Sequence, residues 1–162
     1  MPDTAPHRHL SLPDEEATVA LARRVADALR PGDVLCLRGD LGAGKTAFAR
    51  AAIRHLSGAE VEVPSPTFTL VQTYDTAAGP VWHFDLYRLS GPDEVTELGW
   101  DDAVAEGISL VEWPDRLGPL LPPDRLEITL GTVEAGAGVQ ARTADVRGYG
   151  RWADRLAAVE WT

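Results

Sequence analysis

The string Gly39-Asp40-Leu41-Gly42-Ala43-Gly44-Lys45-Thr46 constrains this chain more than any other feature. The apolar run Val34-Leu35-Cys36-Leu37 precedes it, and residues 45–56 continue with helical spacing. Strand, glycine loop, helix is the context in which G-x-x-x-x-G-K-S/T reads as a phosphate-binding loop (P-loop). The glycines let backbone N–H groups turn inward around an anion, and the following helix aims its positive end at the same point. Lys45 adds a long point charge for β- and γ-phosphates, attracting a phosphate charge at 4 Å by about 4 kcal/mol at an effective dielectric of about 20. Thr46 offers a hydroxyl to Mg²⁺. A short, continuously apolar strand suits a parallel sheet covered on both faces. The predicted fold class is therefore α/β: a single P-loop NTPase domain with a mixed, mostly parallel sheet flanked by helices.

Composition sharpens the reading of Lys45. Of the 15 basic residues it is the sole lysine; every other is arginine. At 162 residues the chain is about one domain, able to bury roughly 70 % of its unfolded surface. Residues 1–10 read as a flexible tail and 11–162 as the P-loop domain. The net charge of −10 argues against a primary nucleic-acid binder, whose affinity would come from basic side chains displacing counterions. One cysteine, Cys36, excludes an internal disulfide or a cysteine-cluster zinc site. With no apolar run of about 18 residues and no export signal, the expectation is a cytoplasmic protein without a membrane span.

A helix is expected from Ser11, which with Asp14 suggests a capping box; Arg30-Pro31-Gly32 ends it. Residues 67–74, 81–89 and 108–113 read as strands, 93–105 as two short helices broken at Gly99, and 114–123 as a proline-rich connection. Residues 126–130 and 140–146 are late strands, and 149–159 a final helix.

The Mg²⁺ of a P-loop also needs a carboxylate on a neighbouring strand. Two residues fit: Asp85 closes Val81-Trp82-His83-Phe84-Asp85, and Glu112 closes Ile108-Ser109-Leu110-Val111-Glu112. Ligands of open α/β sheets gather at such C-terminal strand ends. His83 shares the strand face of Asp85 and reads as a structural histidine. Trp113 suits a nucleotide contact or a core position, whereas Trp152 and Trp161 read as core.

Four strings together resemble the TsaE family, the small ATPases of bacterial tRNA threonylcarbamoyladenosine synthesis. They are Gly39–Thr46, Ser65-Pro66-Thr67-Phe68-Thr69-Leu70-Val71, His83-Phe84-Asp85-Leu86-Tyr87-Arg88-Leu89 and Val111-Glu112-Trp113-Pro114. The resemblance implies a P-loop ATPase using ATP and Mg²⁺ and working with the TsaB and TsaD proteins on a tRNA adenosine next to the anticodon. It implies Thr46 and Glu112 as metal ligands, and Leu41, Gly42, Ala43, Gly44, Lys45 and Thr46 as the phosphate cradle. Lys45, Asp85, Glu112 and Thr67 are the implied catalytic residues, Thr67 on a switch-like loop, and Glu15 is a weaker nucleotide contact. Where relatives carry an arginine after a late glycine, this chain reads Gly138-Val139-Gln140, which leaves Arg142 or backbone to serve there. From the residues alone, a small-molecule kinase and a nucleotide-sensing switch without turnover stay open beside the ATPase. No arginine finger is evident, so intrinsic turnover is expected to be slow.

Overall fold

A computed structural model of the chain describes residues 6–40, 42–58, 61–66, 69–134 and 140–161. Its frame is one seven-stranded sheet in the order β1-β7-β6-β2-β5-β4-β3. The strands are β1 (His7–Leu12), β2 (Val34–Arg38), β3 (Val71–Thr76), β4 (Gly79–Asp85), β5 (Ile108–Glu112), β6 (Arg125–Glu134) and β7 (Gln140–Tyr149). The central strands β6, β2, β5 and β4 run parallel, while β3 joins β4, β7 joins β6 and β1 joins β7 antiparallel. This is the mixed α/β sheet flanked by helices that the sequence predicts.

Alternation along the apolar central strands sorts their side chains onto two faces. Leu35, Leu37, Ile108 and Leu110 pack with Phe48, Ala52 and Ile53 of helix α2 (Lys45–Ser57) and with Leu21, Ala22 and Val25 of α1 (Glu15–Ala28). Val34, Cys36, Phe84 and Val111 face the other way, against α3 (Pro92–Glu97), α4 (Trp100–Glu106) and a 3₁₀ segment over Pro114–Leu120. Each fully buried Leu, Ile or Phe contributes roughly 1.5–3 kcal/mol. Phe48 and Ile53 thus pin α2 to the sheet and fix where its first turn lies.

Several boundaries differ from the sequence expectation. Residues 7–10 of the expected tail belong to β1, which pairs with β7 from His7↔Arg147 to Leu12↔Arg142. Most side chains of β1 are exposed, so the strand rests on its backbone ladder rather than on an apolar pattern. Ser11 is paired in that strand, and Asp14 is the true cap of α1, its Oδ1 accepting the N–H of Ala17 at 2.8 Å. The strand expected at 81–89 stops at Asp85, and that at 67–74 is β3, beginning at Val71. The final helix shrinks to α5 (Trp152–Arg155) and a 3₁₀ turn, because β7 runs on to Tyr149 and Asp124 Oδ1 then takes the Arg151 N–H at 2.9 Å. Trp152 is core as expected, and Trp161 packs partly buried against it. The break at Gly99 stands as expected.

Register does the positioning that matters for function. Glu112 stands opposite Leu37 of β2 on one side and Asp85 of β4 on the other. The C-terminal ends of three parallel strands therefore meet where the chain leaves β2 for the glycine loop.

Candidate active site

The loop between β2 and α2 turns tightly, with the Ala43 N–H on Asp40 O at 3.0 Å. Gly44 is the N-cap of α2 at φ 100°, a left-handed conformation that a side chain would strain, and no side chain caps the helix. The first N–H groups of α2 are thus left to a ligand, and the helix dipole favours an anion there.

A cleft of about 370 Å³ opens over this turn, lined by Gly42, Gly44, Lys45 and Thr46 from the loop and helix. Asp85, Tyr87, Glu112 and Trp113 wall it from the strand ends, with Ser65 and Arg88 beside them. Lys45 is buried, its Nζ donating to Gly39 O at 2.6 Å and Asp40 O at 2.9 Å. Burial holds its ammonium below the usual lysine value, against the opposing pull of Glu112, Asp85 and Asp40. Thr46 Oγ1 donates to Glu112 Oε1 at 2.8 Å, and His83 Nε2 lies 2.7 Å from Glu112 Oε2. Asp85 Oδ1 accepts the N–H of Tyr87 at 3.1 Å.

The structure brings Lys45, Thr46, Asp85 and Glu112 to one cleft. Gly42 and Gly44 line it as well, but Ala43 is turned into the core and offers only backbone. Glu15 does not reach it: it lines a neighbouring cleft with Arg23, Arg50 and Arg54 between α1 and α2, and the two clefts meet at Ala47. Leu41 and Thr67 lie outside the described residues. Three contacts escaped the sequence reading. His83 is bound to Glu112 rather than merely packed. Trp113 adopts left-handed backbone (φ 60°, ψ 55°), unusual for a bulky residue, which lays its ring 4.0 Å from Lys45 Nζ and against Tyr87. Arg142 donates to Gly42 O at 3.3 Å from across the sheet. The departure at Gly138-Val139-Gln140 was the one signal that pointed to Arg142.

Thr46 Oγ1 and Glu112 Oε1 are hard oxygen donors close enough to share a small cation, the donor type Mg²⁺ prefers. Among the described residues no cluster of three or more His, Cys, Asp or Glu could hold a metal. A Mg²⁺ here would therefore complete its shell with oxygens of a ligand and water, the usual arrangement for that ion.

The family model described as "Threonylcarbamoyl adenosine biosynthesis protein TsaE" matches residues 12–143, most of the chain. The chain belongs to the TsaE family. Curated TsaE relatives agree: that of Rickettsia felis is 43% identical over 125 residues, 77% of this chain and 73% of its own length. The Bacillus subtilis protein is 41% identical over 116 residues, 71% of this chain and 72% of its own. The Streptomyces coelicolor protein is 36% identical over 137 residues, 82% and 92% of the two. Each of the three is named a tRNA threonylcarbamoyladenosine biosynthesis protein. The crystal structure of YdiB from Bacillus subtilis superposes with a TM-score of 0.76 at 30% identity, covering 96% of this chain and 94% of that one. The TsaE match takes in every element of the cleft and ends just past Arg142.

Proposed function

We propose that the chain is a Mg²⁺-dependent P-loop ATPase of tRNA threonylcarbamoyladenosine synthesis, acting in the cytoplasm on a TsaB–TsaD complex and resetting it between rounds. The observation that carries this reading is the convergence of Lys45, Thr46 and Glu112 at the uncapped start of α2. The family and the names of its curated members support the pathway. Among the described residues no helix is long and apolar enough to cross a membrane.

ATP would lie with its phosphates over the loop and its nucleoside end crossing Ala47 toward Glu15. Lys45 must then exchange the neutral carbonyls of Gly39 and Asp40 for charged phosphate oxygens, which form the stronger hydrogen bonds. The amides of the loop and of the first turn of α2 stabilise charge on the transferring phosphoryl group. Thr46 and Glu112 are the residues that would hold Mg²⁺, which when bound neutralises charge on the β- and γ-phosphoryl oxygens. Asp85, held by the Tyr87 N–H, is the remaining carboxylate of the cleft and serves hydrolysis beside Glu112. Thr67 belongs to the segment that couples the γ-phosphate to the partner surface. The sequence shows no arginine finger, so turnover without partners is expected to be slow.

Phosphate release from ATP, measured with Mg²⁺ or EDTA and with or without TsaB–TsaD, tests the reading. The expected result is release that needs Mg²⁺, rises with the complex and vanishes in Lys45→Ala. No release under any of these conditions overturns it, and phosphoryl transfer to a small acceptor instead of water would favour a kinase.

A further inference from the structure

His83 is a buried titratable side chain beside the cleft to which the proposed mechanism gives no task. It lies wholly inside the protein, on the sheet face that carries Val81, Leu110 and the α1–α2 layer. The register pairs His83 with Leu110 and Asp85 with Glu112, so His83 sits diagonally behind Glu112 on the same face. Its Nε2 is 2.7 Å from Glu112 Oε2, while its buried Nδ1 has no partner. A hydrogen on Nδ1 would be an unpaired buried donor, so the hydrogen sits on Nε2 and is donated to the carboxylate.

We propose that His83 is a positioning residue for Glu112. It occupies Oε2 from the core side, which leaves Oε1 alone to face Thr46 and makes the carboxylate a one-oxygen ligand. An apolar side chain would pack this position at least as well, since the surroundings are apolar and Nδ1 gains nothing there. It would, however, leave Oε2 unpaired inside the protein and the carboxylate free to rotate about its terminal bond. Mg²⁺ tolerates little departure from octahedral geometry, so an untethered oxygen binds it less well. Outer partners that orient a ligand in this way typically govern 10–100-fold in metal affinity.

This inference rests on the reading of Thr46 and Glu112 as a cation site, and the two can fail separately. The probe is Mn²⁺, titrated by electron paramagnetic resonance into the protein with a non-hydrolysable ATP analogue. Nucleotide affinity in EDTA is measured in parallel. In His83→Leu, Mn²⁺ affinity should fall roughly 10–100-fold, while metal-free nucleotide affinity stays within about twofold. In His83→Gln, whose Nε2–H can occupy the place of the imidazole Nε2–H, most of the loss should be recovered. If His83→Leu does not fold, His83→Met fills the space without an N–H and is read in the same way. Unchanged Mn²⁺ affinity in the Leu or Met variant overturns the inference, as does a Gln variant no better than they are. Wild-type protein that binds the nucleotide but no protein-dependent Mn²⁺ overturns the cation site itself.

Discussion

The Lys45 ammonium lies 4.0 Å from the centre of the Trp113 ring while donating to Gly39 O and Asp40 O. It is thus parked on its own loop, under an aromatic lid that the left-handed backbone at Trp113 holds in place. A cation–π contact contributes about 0.5–2 kcal/mol, less than charged phosphate oxygens offer, so nucleotide binding should withdraw Lys45 from the ring. The Trp113 emission should shift when an ATP analogue binds. Trp113→Phe should abolish that change although four other tryptophans remain. A shift of equal size in the Phe variant would mean that Lys45 does not report through this ring.

Lys45→Ala and Glu112→Ala should fail differently. The first removes the cation proposed to meet β- and γ-phosphates, so hydrolysis should drop by at least about 10²-fold with weaker ATP binding. The second removes a proposed metal ligand, so ATP binding should persist with little response to Mg²⁺ while turnover is lost. Equilibrium dialysis with and without Mg²⁺, alongside phosphate release, distinguishes the two. Normal hydrolysis by Glu112→Ala would end the metal assignment.

The P-loop was legible because its meaning is local: glycines, Lys45 and Thr46 fall at fixed spacing between a strand and a helix. The central strands were legible because residues buried on both faces leave unbroken apolar runs. Composition and spacing alone did not choose between Asp85 and Glu112, since both close apolar strands and the register sets them side by side; the family resemblance pointed to Glu112, and it is Glu112 that the Thr46 hydroxyl meets. The His83–Glu112 bond joins residues far apart in sequence and leaves no periodic trace. Strand β1 was missed because backbone pairing to β7 needs no apolar alternation, and His7 and His9 instead share Asp145. The left-handed Trp113 is invisible in a sequence, where only glycine advertises such backbone.

Glu127 should give stability an acid limb. Burial raises its pKa, but hydrogen bonds from Arg38 and Arg125 outweigh burial and hold the carboxyl below the usual glutamate value. Because the folded-state pKa is depressed, the contribution is complete above the unfolded value of about 4.3 and disappears as pH falls through the lower folded value. Urea midpoints measured from pH 6 downward should fall in wild type and fall less steeply in Glu127→Gln. That variant should also start lower at pH 6, because it leaves two arginines without their carboxylate. Parallel curves for the two proteins would remove Glu127 from the acid limb.

Cys36 should be inert until the protein unfolds. It is fully buried in the central strand β2, and burial, with Glu127 nearby, pushes its thiol pKa up to about 12. The thiolate is the reactive form, so both access and ionisation oppose modification. Ellman's reagent at pH 8 should label almost none of the folded protein and one thiol per chain in strong denaturant. Rapid labelling of the native protein would show that β2 opens far more readily than its packing allows.

An acidic chain can serve tRNA chemistry without holding tRNA. At net −10 it should repel an RNA backbone, and long-range repulsion of this kind is strongest at low salt. Docked in its ATP-bound form near the catalytic cleft of TsaB–TsaD, it would place that charge where tRNA has to enter. Hydrolysis and release would then reset the complex for the next tRNA. Anisotropy titrations at low salt should find no tight tRNA binding by this chain alone. With the TsaB–TsaD complex, saturating amounts of the chain and a non-hydrolysable ATP analogue should weaken tRNA binding, and adding salt should reduce the effect. Tight binding by the chain alone, or undiminished tRNA binding by the saturated complex, would show that charge does not separate the two partners.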